Sequence, residues 1–324
     1  MKKFAFVLIF LLLTAACQTP KETTKPDKHE CGPPIRAYFC PKDNCKEQLI
    51  KAIDNAEYSV HCAFYDIDLP DLISKLSKKA AKIDVKMVLD SDNYFGQAQN
   101  IPIILDDKDQ LTHNKFCIID NHVVSTGSFN PTERGDEKNN NNLIIISSKL
   151  ISLNYEDEFQ ELWDRRFGRG NKVKYPEIIY NGNSISNFFC PEDKCAQHLI
   201  KEILDAKASV YFMVFTLTDE SVADAILFSK AADIRGIFEK FQAAGRYSQY
   251  GRLKGFGLDV SLDNNSAFLH HKVFIIDNST VITGSYNPTW AGSNRNDENM
   301  LIIRSKKLAE DYIKEFHSLK QQSI

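Results

Sequence analysis

From residue 36 onward the chain alternates short apolar runs with amphipathic stretches. Leu49 and Ile53, and again Leu199 and Ile203, recur at the four-residue spacing of one buried helical face. Strand-like runs follow each pair, SVHCAFYDI in the first part and SVYFMVFTL in the second, and further helical stretches begin near Asp71 and Ser221. VKMVLD, KFCIID, VVSTG and NLIII read as strands, and LNYEDEFQELWDRRF as a closing helix. Strands and helices in alternation predict a layered α/β fold with a mixed sheet flanked by helices.

The pattern occurs twice. YFCPKDNCKEQLIKAIDNAEYSV returns as FFCPEDKCAQHLIKEILDAKASV, 150 residues on, and HNKFCIIDNHVVSTGSFNPT returns as HHKVFIIDNSTVITGSYNPT, 157 residues on. The chain therefore reads as one duplicated unit, with a first repeat over 37–168, a linker over 169–187 and a second repeat over 188–324. The copies diverge after VKMVLD and IRGIFEK. There Arg246, Tyr247, Tyr250, Arg252 and Lys254 of the second copy offer a basic, aromatic edge, or else an ordinary solvated helix.

Side chains two apart on a strand share a face, so His113 and Lys115 point together while Asp120 points away; His270, Lys272 and Asp277 repeat that parity. Asp120 and Asp277 are thus expected as anchors. The glycine turns GSFN and GSYN add Ser128 and Asn130, and Ser285 and Asn287, as neutral donors at the same end. A histidine beside a lysine is a weak signal once. Twice, at matched distance from an aspartate and a GSxN turn, it is a strong one.

At these residues the chain resembles the phospholipase D superfamily, whose HxK(x)4D(x)6GSxN pattern both copies match without a gap. The resemblance implies two repeats packed as an intramolecular pseudo-dimer around one shared site, in which one histidine attacks phosphorus and the other protonates the leaving oxygen. It also implies that Lys115, Lys272, Asn130 and Asn287 hold the nonbridging oxygens, with the serines assisting, and that no cofactor or metal is needed. Family members often carry a carboxylate after the turn that orients the histidine ring. Glu298 offers it in the second copy, whereas Asn141 stands at the matching place in the first. Paired within each copy, these residues would make His270 the proton carrier and His113 the nucleophile.

Charge and cysteines refine the picture. A net charge of −3 argues against a basic sheath for a polyanion but leaves a local basic cleft open. MKKFAFVLIFLLLTAAC has the lysines, apolar run and small residues of an export leader, so residues 1–16 are expected to be a signal peptide. LTAAC resembles a bacterial lipobox with Cys17 as the lipidated residue, and 17–36 reads as a flexible tether. The expectation is an exported bacterial lipoprotein, membrane-anchored, facing the periplasm or exterior, and monomeric because both half-sites lie in one chain. In an oxidising compartment Cys40 with Cys45, and Cys190 with Cys195, read as disulfides, with zinc shared across the two pairs as the competing idea. Cys62 and Cys117 fall in apolar strands and are expected as buried thiols. The compact repeats favour an endonuclease or broader phosphodiesterase acting on nucleic acid. A phospholipase D acting on membrane phospholipid is the alternative, ahead of a cardiolipin-synthase-like transferase or a catalytically silent scaffold.

Overall fold

The structure is a computed structural model, and it describes residues 28–324. The export leader and Cys17 lie outside the described residues. The strands of the first repeat are β1 (His29–Glu30), β2 (Arg36–Cys40), β3 (Ser59–Phe64), β4 (Asp84–Leu89), β5 (Ile103–Leu105), β6 (Lys115–Ile119), β7 (Val123–Gly127) and β8 (Asn141–Ser147). Those of the second are β9 (Glu177–Tyr180), β10 (Asn183–Cys190), β11 (Ser209–Val214), β12 (Asp233–Phe238), β13 (Asp259–Leu262), β14 (Lys272–Ile276), β15 (Thr280–Gly284) and β16 (Glu298–Arg304).

They form two mixed sheets, β2-β8-β7-β6-β3-β4-β5 and β1-β9-β10-β16-β15-β14-β11-β12-β13. The common core order, β8-β7-β6-β3-β4 against β16-β15-β14-β11-β12, is the duplication expressed in three dimensions. Each sheet buries its outer face against two helices of its own repeat: Cys45–Asp54 and Pro70–Ala80 on the first, Cys195–Asp205 and Glu220–Phe228 on the second. The inner faces share one core. Phe116, Val124 and Ile144 of the first sheet and Val273, Val281 and Leu301 of the second meet the long helices Lys149–Trp163 and Lys306–Gln322 there. This shared core holds the two motif strands in fixed relation.

Two expectations need correction, one on the tether and linker and one on Cys62 and Cys117. The end of the tether and the linker are built into the second sheet, because β1 pairs in parallel with β9, which continues into β10. Glu30 then accepts from the amide of Leu150 and from the hydroxyl of Ser148, capping the first long helix from the edge of the second sheet. The cysteine pairs Cys40–Cys45 and Cys190–Cys195 are closed disulfides as expected, each at the start of its helix, which leaves no thiolates for the competing zinc site. Cys62 and Cys117 are not thiols. They face one another directly across β3 and β6 and form a third disulfide, a pairing that depends on antiparallel register rather than on local spacing.

Candidate active site

Asp120 and Asp277 sit at the far ends of the motif strands, each with a left-handed backbone (φ 52° and 51°). Asp120 accepts from the amides of Glu57, Tyr58 and Ser59, and Asp277 from those of Lys207, Ala208 and Ser209, which holds both carboxyls below the usual range. Each aspartate ties its motif hairpin to the entry of the neighbouring strand, away from the histidines.

At the other end, His113, Asn130, His270, Asn287 and Glu298 line one groove of about 540 Å³ between the repeats. A larger hollow of about 980 Å³ beside helix Pro70–Ala80 contains none of the motif residues, so the chemistry belongs to the smaller groove. Backbone bonds stitch the repeats together there. The amide of His113 donates to the carbonyl of Asp297 (3.0 Å), and the amide of His270 to the carbonyl of Asn140 (2.8 Å). The segment bearing each histidine thus lies beside the start of the other repeat's strand, β16 or β8.

That stitching overturns the expected pairing of Glu298 with His270 and Asn141 with His113. Glu298 Oε2 is 2.8 Å from Nδ1 of His113, and Asn141 Oδ1 is 2.9 Å from Nδ1 of His270. The 157-residue offset matches positions between copies, but their side chains reach across the pseudo-twofold axis. Nδ1 of His270 faces two acceptors, Asn141 Oδ1 and the carbonyl of Ser128 at 3.1 Å. The amide nitrogen of Asn141 is committed to the carbonyl of Gly135, which fixes its orientation. Nδ1 of His270 therefore carries the hydrogen, and Nε2 is left to react.

Burial dominates the electrostatics. It drives both histidines well below their ordinary range, with Lys115 and Lys272 pushing in the same direction. It lowers Lys115 to about 7 and drives Lys272 well below its ordinary range, where repulsion by Lys115 acts in the same direction. It raises Glu298 to about 8, although the two lysines pull it back. A phosphodiester anion would supply the charge both lysines lack in the free groove. The lysine nitrogens lie over aromatic rings, Lys115 4.9 Å from the centre of Tyr65 and Lys272 4.8 Å from that of Phe215, and each donates to the carbonyl of its own histidine. Tyr65 and Phe215 also pack edge-on against His113 and His270.

The amide oxygens of Asn130 and Asn287 are buried without a partner. A half-turn of either amide presents its NH2 instead, so both remain free to serve an anion. Ser128 and Ser285 do not. Their hydroxyls accept from the amides of Asn142 and Asn299 (3.0 Å each) and are fully buried behind the groove, where they brace the turn. The remaining histidines of the second motif and the core are structural: His271 is fully buried beside Asn142 and Glu315, and His61 lies between Glu156 and Asp84. Of the anticipated basic edge, Tyr250 packs on Phe238, while Arg252, bound to Asp224, and Lys254, donating to the carbonyl of Val260, are exposed along with Arg246 and Tyr247. Two wall residues were missed in the sequence, Arg134 and Phe268, whose side chains stack at 4.0 Å. Their signal was a mismatch between copies, since Ala291 and Leu111 stand in the equivalent places.

Comparison with known proteins agrees with this geometry. A family described as "Cardiolipin synthase, PLD-like domain" matches residues 49–163 and 199–320. A phospholipase D of Rickettsia prowazekii is 29% identical over 143 residues, covering 44% of this chain and 70% of that protein. A mitochondrial cardiolipin hydrolase of Xenopus laevis is 34% identical over 135 residues, covering 40% and 64%. Each aligns with less than half of this chain, as a relative of a single repeat would. The crystal structure of a phosphatidylserine synthase from Haemophilus influenzae shares the fold across 89% of this chain and 87% of its own, with a TM-score of 0.68 at 12% identity. With both repeats matched and two motifs meeting in one groove, the chain belongs to the phospholipase D superfamily of phosphodiesterases.

Proposed function

We propose that the protein hydrolyses phosphodiesters of nucleic acid through a covalent phosphohistidine, without a metal. The observation that carries the chemistry is the placing of two histidines from opposite repeats in one groove, each held at Nδ1 so that Nε2 is the reactive atom. His113 is the nucleophile in this reading. Its Nε2 bonds to phosphorus as the bond to the leaving oxygen breaks, and the ring becomes cationic for as long as the intermediate lasts. Glu298 is the carboxylate that touches a histidine of this pair, and it offsets that charge. The ground for the assignment is therefore the opposite of an in-repeat pairing: the carboxylate supports the covalent adduct, not the proton carrier.

His270, held by neutral acceptors, forms a strongly acidic imidazolium suited to protonating the leaving oxygen. Water then attacks phosphorus, giving its proton to His270, and the bond to His113 breaks. The free groove keeps its mobile proton on Glu298 near neutrality, and an anionic substrate between the lysines draws it toward His270. Lys115, Lys272, Asn130 and Asn287 hold the nonbridging oxygens.

Nucleic acid is favoured by the wall formed by Arg134 stacked on Phe268, with exposed Phe241 beside it, a surface suited to a base and its phosphate. The second reading is a phospholipase D, favoured by the names of the relatives from Rickettsia and Xenopus. In either case the leader and Cys17 would place the protein outside the cytoplasm on a lipid anchor, as a monomer. The test is to incubate protein lacking the first 17 residues with plasmid DNA, RNA and phospholipid vesicles in EDTA. Cleavage of nucleic acid that survives chelation supports the proposal. Release of headgroup and phosphatidic acid supports the second reading, and activity that needs added metal rejects the mechanism.

A further inference from the structure

The pseudo-twofold axis makes each wall of the groove a control for the other. Beside His113 stand Tyr65, whose amide donates to the carbonyl of Asn114, and Asp66; the equivalent places beside His270 hold Phe215 and Thr216. Beside His270 stands the Arg134–Phe268 stack, whose counterparts near His113 are Ala291 and Leu111. The lysines feel the difference. Glu298 acts on both lysines, and Asp90 and Asp66 act on Lys115 in addition. The catalytic residues are thus nearly symmetric while the walls have opposite charge.

We infer that the groove binds its strand in one direction, with the continuing sugar-phosphate chain on the Arg134–Phe268 wall and a strand end, bearing no further phosphate, on the Tyr65–Asp66 wall. A phosphate beside the scissile one gains a guanidinium and a stacking surface on the first wall and meets the carboxylate of Asp66 on the second. The protein then acts at or near strand ends. This rests on the nucleic-acid reading above and narrows it.

The test uses the dinucleotide TpT with a terminal phosphate added at its 5′ end, its 3′ end or neither, with kcat/KM measured for each. One terminal phosphate should speed cleavage about fivefold or more, and the other should slow it by a similar factor. Asp66→Asn should abolish the slowing, and Arg134→Ala the acceleration, with Arg134→Lys keeping most of it. Because each variant is judged by its own ratio between the two phosphorylated substrates, a general loss of activity does not imitate the result. If both terminal phosphates act alike, or the ratio survives both substitutions, the directional groove is wrong while nuclease activity stands. If no dinucleotide is cut but bis(p-nitrophenyl) phosphate is hydrolysed, the nucleic-acid reading fails and the directional groove with it.

Discussion

Replacing Glu298 with Gln keeps the shape and a hydrogen-bond acceptor beside His113 but removes the countercharge. The bond to be weakened is 2.8 Å long, and the carboxylate is 1% exposed, so little water can compensate. Exchanging a charge-assisted hydrogen bond for a neutral one costs about 1–1.5 kcal/mol. The Coulomb attraction between unit charges about 4 Å apart, at an effective dielectric constant of 20, sets an upper figure of about 4 kcal/mol. Formation of the phosphohistidine should therefore slow by between about tenfold and several hundredfold. Rapid-quench measurement with two phosphodiesters of different leaving groups separates the roles. Loss of support for a nucleophile slows a p-nitrophenyl ester and an alkyl ester alike, whereas loss of support for a general acid spares p-nitrophenol, which leaves without a proton. Glu298→Gln should slow both esters, and Asn141→Ala should slow the alkyl ester alone, about threefold to tenfold. The reverse pattern, or a phosphoryl label on His270, would refute the assignment.

Further outcomes follow from the same contacts. Activity should fall as pH rises above about 8, where the mobile proton on Glu298 is lost, and kcat/KM against pH checks this. Because Glu298 titrates higher folded than unfolded, its contribution to stability is complete below about pH 4.5 and fades as pH rises toward 8. The melting temperature of Glu298→Gln relative to the parent should therefore climb across that window. Replacing Cys62 and Cys117 together with alanine should cost about 2–4 kcal/mol in chemical denaturation, because their bond closes a loop spanning 55 residues. Asp120→Ala should lower stability by about 1–3 kcal/mol, since it strands three backbone amides, while leaving the pH dependence of kcat unchanged.

Much of the site was legible because the duplication marks it. His113, Lys115, His270 and Lys272 stand out by repeating at one offset, and strand parity alone separates Asp120 and Asp277 from them. What escaped depends on contacts that sequence spacing does not encode. Cys62 and Cys117 are apolar-strand residues until β3 and β6 are laid in register. Ser128 and Ser285 resemble substrate donors until β8 and β16 are seen to occupy their hydroxyls. Glu298 and Asn141 were found at their proper positions, but an internal repeat aligns each residue with its counterpart and says nothing about which neighbour it touches. The end of the tether was misread because a two-residue strand, His29–Glu30, is too short to show periodicity.

The exchange of partners between repeats also bears on when the enzyme becomes armed. A chain in which only the first repeat has folded holds His113 without Glu298, and Asn141 with no ring to orient; the second repeat alone is deficient in the reciprocal way. Each histidine takes its Nδ1 partner from the other half, so the full complement of oriented rings exists only once the repeats have docked.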